Sequence, residues 1–306
     1  MNSTTPEVSA GAPRQESDPL RHRAVPLRGR TPLVLTFASA IALAMFVWPL
    51  LVVPPEGQGH VGDAPLLFVI IMPVIIGVVI AELSSGGIDA KALAMMGVLA
   101  AVGAALRPMG AGMAGIELVY FLLVLAGRVY GPGFGYVLGA VTIFTSALIT
   151  AGVGPWMPFQ MMTAAWIGMG AGLLPWRSLR GRREIALLVV YAVFAAYLFG
   201  ALMNLWFWPF VLHEGGQLSY VPGAPVLENL HTFFLYNLAT SAWGWDTGRA
   251  ITNAVAIVVV GPAVLLVLRR AARKAAWREP VVFAPGALGG VQPARPEPVD
   301  DPPGQV

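Results

Sequence analysis

Residues 127–174, GRVYGPGFGYVLGAVTIFTSALITAGVGPWMPFQMMTAAWIGMGAGLL, decide the fold. Two apolar runs are parted by Gly154, Pro155 and Trp156, and the first follows a Gly131-Pro132-Gly133 turn beside Arg128. Each run has about the 17–25 residues with which a helix crosses hydrocarbon. Small residues recur at every fourth position: Gly131, Gly135 and Gly139 around the first run, then Ala164, Gly168 and Gly172 in the second. Such stripes make flat grooves where another helix backbone can approach closely. A third stripe, Gly97, Ala101 and Ala105, lies upstream. Packing within the chain is the ordinary reading of each stripe; docking onto a separate membrane subunit is the alternative for at least one.

Working outward, the same pattern repeats. Spanning helices are expected over 33–53, 65–81, 90–106, 116–130, 134–151, 158–174, 184–206 and 249–268. Pro54 and Pro55 end the first, because proline cannot continue the hydrogen-bond ladder, and Pro73 is expected to kink the second. The segment 207–248 is too long for a plain connection. Its aromatic, amphipathic stretch 230–245 is expected to lie at the interface or dip in. Hydrophobic residues make up 57% and charged residues 11% of the chain; a soluble domain carries about 25% charge. The fold class is all-α, a polytopic membrane helical bundle. A membrane β-barrel would instead alternate weakly over short segments.

Charge sets the expected orientation. Seventeen of the nineteen Lys and Arg residues fall in the tails and in alternate gaps, leaving only Arg107 and Arg249 on the other side. Cytoplasmic loops carry the excess of Lys and Arg, so the basic side is inside and both termini are cytoplasmic. Residues 1–32 are expected to form a disordered basic tail, and residues 271–306 a mostly disordered one. The net charge of +3 is read as contact with anionic lipid rather than nucleic acid.

Several chemistries lack their residues. With no cysteine, there is no disulfide, thiolate metal site or cysteine nucleophile. No GxxxxGK[ST], HExxH, DDxxD or GxSxG motif occurs. His22, His60, His213 and His231 are not spaced as a metal pair on one helix face. Neither a metal, a cofactor nor a catalytic residue is expected, and the chain reads as a non-enzyme. The polar residues near the membrane are more telling. Arg107, Glu117, Gln160, Asn204 and Asn253 lie within about two turns of the outer ends of predicted helices, and Asn237 lies in the long outer segment. Trp156, Trp206, Trp208, Trp243 and Trp245 share that level. Polar groups facing hydrocarbon are costly, so such residues mark sites by default. A pocket open to the outside is therefore expected, with Arg107, Glu117, Trp156, Gln160, Asn204, Trp206, Asn237 and Trp243 binding substrate. Simpler roles stand beside this one. The tryptophans could form an aromatic belt, Glu117 could pair with Arg107, Gln160 and Asn204 could join helices, and Arg128 reads as a topology anchor.

Three segments resemble the substrate-binding S component of energy-coupling factor (ECF) transporters: residues 97–112, 127–174 and 240–274. The resemblance implies a six-helix core over 88–270, preceded at 33–87 by two additional transmembrane helices. It implies a subunit of an ABC-type transporter that binds a vitamin or related micronutrient from outside. Uptake would be driven by ATP on separate partners, a membrane coupling subunit and two ATPase subunits. It also implies that Gly97, Ala101 and Ala105 dock the coupling subunit. Two other classes compete: a membrane-embedded prenyl or acyl transferase, and a stand-alone secondary transporter. The first lacks an acid pair or activated nucleophile. The second would place carboxylates near the midplane, where Glu117 is the nearest candidate. The long outer segment and its tryptophans lean toward a bulky or flat ligand, such as cobalamin or riboflavin.

Overall fold

A computed structural model describes residues 31–52, 64–84, 90–110, 115–176, 178–210 and 216–276. The two tails, most of the 82–89 loop, residues 111–114, His22, His60 and His213 lie outside the described residues. Among the described residues there are helices and no strands. The chain is an all-α membrane bundle. In order, the helices are α1 (Thr31–Leu51), α2 (Ala64–Ser84), α3 (Ala90–Leu106), α4 (Val119–Tyr130), α5 (Pro132–Ile149), α6 (Met157–Leu173), α7 (Arg182–Phe207), α8 (Val226–Asn237), α9 (Thr247–Val259) and α10 (Gly261–Ala276).

Among the described residues, α1, α3, α5 and α7 are long and apolar enough to cross a membrane, and the bent chain from α8 to α10 makes a fifth. Shorter apolar helices occupy Leu66–Ala81 and Val119–Tyr130. α4 is buried almost throughout, from Val119 to Tyr130, as befits a central helix wrapped by others.

The α5–α6 pair is the most extensive contact in the bundle, and its glycines explain why. A Cβ on Gly168 would lie 2.7 Å from the Gly135 carbonyl carbon and nearer still to its oxygen. A Cβ on Gly139 would lie 2.6 Å from the Ala165 nitrogen, and one on Gly172 2.7 Å from the Pro132 Cα. The two stripes therefore press backbone against backbone, gaining dispersion contact where lipid supplies no hydrophobic drive. Gly131 alone separates α4 from α5, at φ 103°, a conformation that strains any residue with a Cβ. Pro132 then begins α5, where its missing N–H leaves no helical partner unsatisfied.

The third stripe behaves differently. Gly97, Ala101 and Ala105 are exposed on α3, and a Cβ on Gly97 would meet nothing within 4 Å. Leu93, Val98 and Val102 flank it, also exposed.

The two additional helices pack onto the rest of the bundle. Trp166 of α6 donates its indole N–H to Ser39 Oγ of α1 at 2.9 Å. Phe46 of α1 sits edge-on to Phe159 with centroids 5.0 Å apart. The Tyr220 hydroxyl donates to the Pro49 carbonyl.

Two boundaries differ from expectation. The amphipathic stretch 230–245 is continuous with the last predicted span: α8, a π-helical segment Leu238–Asp246 and α9 run as one continuous helix. Its 34 residues, Val226–Val259, reach about 50 Å at a 1.5 Å rise, well beyond the roughly 30 Å of a hydrocarbon core. The single helix predicted over 249–268 is instead parts of two helices bent by 65°. Pro262 opens α10, and a proline there cannot bond back to the preceding turn and crowds its carbonyl.

At the basic end, Arg128 is buried and anchored. Its Nε donates to Glu184 at 3.1 Å. Its Nη atoms donate to the carbonyls of Leu174, Pro175 and Trp176 at 3.2, 3.1 and 2.8 Å. These carbonyls lie just past the end of α6, and an arginine there satisfies them while offsetting the helix dipole. Glu184, in the first turn of α7, also accepts from Arg269 at 2.5 Å.

Candidate functional site

At the end of the bundle opposite these basic residues lies a cavity of about 280 Å³. α3 delivers Arg107 to it, α5 delivers Ser146 and Thr150, and the turn before α6 delivers Trp156. Glu117, just before α4, and Trp245, in the π-helical segment, complete the polar and aromatic lining.

Arg107 reaches across α5 and α6. Its Nη2 donates to Gln160 Oε1 at 2.6 Å and its Nη1 to Ser146 Oγ at 3.5 Å. Both partners are neutral, and among the described residues no carboxylate pairs with this guanidinium. Glu117 is held by another cation. Arg249 Nε donates to Glu117 Oε2 at 2.9 Å, and Arg249 Nη1 donates to Asp246 Oδ1 at 2.8 Å. The pairing of Glu117 with Arg107 expected from the short loop between them is therefore replaced by Glu117–Arg249. The reason is tertiary: α9 packs beside α4 and brings Arg249 to Glu117 from 132 residues away.

The Arg249 cluster is built into the bundle. The Asp246 side chain is fully buried, with 0% exposure, and it fills the space a Cβ on Gly200 would need. Arg249 lies over the Phe199 ring at 4.6 Å, and Asn253 Nδ2 donates to the Glu117 carbonyl at 3.1 Å. Ions buried this deeply are tolerated only when paired and hydrogen-bonded. The ion pairs consequently divide: Arg249 is shared between Glu117 and Asp246, while among the described residues Arg107 donates only to the neutral Gln160 and Ser146.

The π-helical segment decides which tryptophan enters. Thr247 Oγ1 donates to the Ala242 carbonyl five residues back at 2.7 Å, in keeping with the wider turn of a π-helix. Trp245 faces the cavity, whereas Trp243 is 78% exposed on the outside.

Of the eight residues expected to bind substrate, Arg107, Glu117 and Trp156 line the cavity, and Gln160 braces Arg107 from behind. The other four lie elsewhere. Asn204 Nδ2 donates to Asn237 Oδ1 at 2.8 Å, tying α7 to α8. Trp206 is buried against Phe159, with centroids 5.0 Å apart. Trp243 points outward. Trp208, one of the tryptophans at this level, is no belt residue: it is 1% exposed and donates to the Leu218 carbonyl at 2.8 Å. Sequence reasoning passed over Ser146, Thr150, Asp246 and Arg249, and placed Trp245 only by level. Arg249 did carry a signal: with Arg107 it breaks the charge alternation, and a cation on the wrong side of that pattern needs a partner or a purpose.

Residues 91–268, more than half of the chain, match the family described as ECF transporter, substrate-specific component. The chain belongs to that family. No curated protein and no solved structure matches it. As an ECF substrate-specific component it is a multi-pass membrane protein, and its family is one of substrate-binding transporter components rather than enzymes. The match opens in the first turn of α3 and closes within α10. The Arg107 cavity, the Arg249 cluster and all three small-residue stripes fall inside it, while α1 and α2 precede it.

Proposed function

We propose that the chain is the substrate-binding subunit of a micronutrient importer, and that the Arg107 cavity receives the anionic group of a compact ligand from outside the cell. One observation carries this reading: among the described residues the cavity's guanidinium is held by neutral groups alone, while its carboxylate, Glu117, is turned to Arg249 instead. An arginine in such a setting is the natural receptor for a carboxylate or phosphate. Trp156 and Trp245 offer ring faces beside it, suited to a flat moiety. A volume of about 280 Å³ lies at the low end of small-molecule sites. It favours a compact vitamin-like molecule over the bulky cofactor that the long outer segment suggested.

The orientation follows from the charge pattern, with the basic end and both termini cytoplasmic and the cavity facing out. Energy then comes from partners, a membrane coupling subunit and two ATPase subunits, since the chain has no phosphate-binding loop of its own. Among the three stripes, Gly97, Ala101 and Ala105 are the ones left uncovered by the described residues, which supports their docking the coupling subunit. The other two stripes, on α5 and α6, are occupied by each other. The α3–α10 region corresponds to the core at 88–270, and α1 and α2 form an addition braced on α6.

The direct test is to purify the protein, identify retained small molecules by mass spectrometry, and measure their affinity in Arg107→Ala and Gln160→Ala. Loss of about 2–3 kcal/mol is expected for Arg107→Ala, the worth of a charge-assisted hydrogen bond, and less for Gln160→Ala. Undiminished affinity in both variants would remove the cavity from the binding path.

A further inference from the structure

A second, larger hollow lies at the basic end, distinct from the ligand cavity. It has a volume of about 830 Å³ and runs between the first turns of α7 and the bent helix α10. The 65° bend after α9 opens it, because α10 swings away instead of continuing along α7. Its walls are apolar: Ile185 and Val189 on α7, Val258 on α9, Leu266 on α10. Val258 and Leu266 are 55% and 64% exposed, so the groove opens sideways onto the outer face of the bundle.

Its mouth is cationic. Arg180, Arg182, Arg269 and Arg273 line it against a single carboxylate, Glu184, and Glu184 already accepts from Arg128 and Arg269. Arg182 and Arg273 have no hydrogen-bond or ion-pair partner among the described residues, so their positive charge is uncompensated there. Burial, and then the neighbouring Arg269 guanidinium, push the Arg180 guanidinium below its ordinary value. Among the described residues the site thus gathers four arginines around one carboxylate.

We propose that this groove binds one anionic phospholipid, with its phosphate between Arg182 and Arg273 and an acyl chain along Ile185, Val189, Val258 and Leu266. The combination selects the occupant. A soluble anion would use the arginines but leave the apolar walls wet, and a zwitterionic lipid would fill the walls but bring a second cation to the mouth. An anionic phospholipid satisfies both halves, and basic pockets between helices at this depth suit such headgroups. The inference needs the membrane setting but not the ligand reading, since the two sites occupy opposite ends of the bundle.

The test is native mass spectrometry of the full chain in detergent, with phosphatidylglycerol or phosphatidylcholine added at equal concentration. One tightly retained phosphatidylglycerol per chain is expected, at least tenfold over phosphatidylcholine. Retention should fall about tenfold in Arg182→Gln/Arg273→Gln. It should fall similarly in Ala186→Trp, which fills the groove from an exposed wall position without touching a charge. Arg270→Gln, on α10 but outside the groove, should retain the lipid. Equal retention of the two lipids overturns the proposal. So does a loss in Arg270→Gln as large as in the double variant, which would indicate diffuse surface charge. Unchanged retention in Ala186→Trp, or thermal stabilisation by inorganic phosphate equal to that by phosphatidylglycerol, would also sink it, the last by assigning the arginines to a soluble anion.

Discussion

Gly168→Ala measures how the bundle is held together. The new Cβ would lie 2.7 Å from the Gly135 carbonyl carbon, whereas ordinary contact begins at 3.4 Å. α5 and α6 must therefore separate by at least about 0.7 Å along a backbone contact that has no flexible side chain to yield. A radial gap of about 0.5–1 Å forfeits a quarter to a half of each dispersion well, and the loss extends to the neighbouring rungs at Gly139 and Gly172. Overpacking of this kind costs about 1–3 kcal/mol, roughly a 2–12 °C fall in the unfolding midpoint. Gly135→Ala should cost a similar amount. The double variant should cost less than the sum, because one separation relieves both clashes. The control is Gly97→Ala: the same chemical change on a stripe with nothing within 4 Å should hold or raise the midpoint, since alanine is the better helix former. Thermal unfolding of the purified protein in detergent reads all four. If Gly168→Ala melts with the wild type, or if Gly97→Ala falls as far, the division between internal and exposed stripes is wrong.

Ala101→Leu, on the exposed stripe, should abolish co-purification with the coupling subunit and leave ligand affinity intact; retained co-purification would return the stripe to a lipid-facing role. Arg249→Gln strands Asp246 and Glu117 and should destabilise the protein by about 3–5 kcal/mol, and Asp246→Asn in the same chain should recover part of it. No recovery in the double variant would show that Arg249 acts other than through that pair. Tyr220→Phe removes the hydroxyl donated to Pro49 and should cost about 1 kcal/mol, read as a lower unfolding midpoint. Burial raises the Tyr220 hydroxyl above its ordinary value of 10.0, so its neutral form is favoured in the folded protein. Its contribution is therefore whole below about pH 10 and declines as pH rises through the elevated value. Wild type and Tyr220→Phe should converge there; a gap unchanged across that range refutes the assignment.

The amino-acid sequence by itself determined the bundle. Apolar runs, proline and glycine at their ends, and arginines gathered in alternate gaps are local properties, readable because a helix in lipid must satisfy its own backbone; the eight spans expected from them are more than the four helices, or five with the bent one, that are long and apolar enough to cross among the described residues. It also placed Arg107, Glu117 and Trp156 at one level, since depth along a helix is a matter of counting. Rotation about each helix is not. Whether Trp243 or Trp245 faces the cavity depends on a π-helical turn; whether Glu117 meets Arg107 or Arg249 depends on α9 packing beside α4. Which glycine stripe is covered and which left bare depends on the partner that each helix finds. Those choices are made by side chains far apart in the chain, whose contacts exist only once the helices have packed, and so the tertiary structure alone decided them.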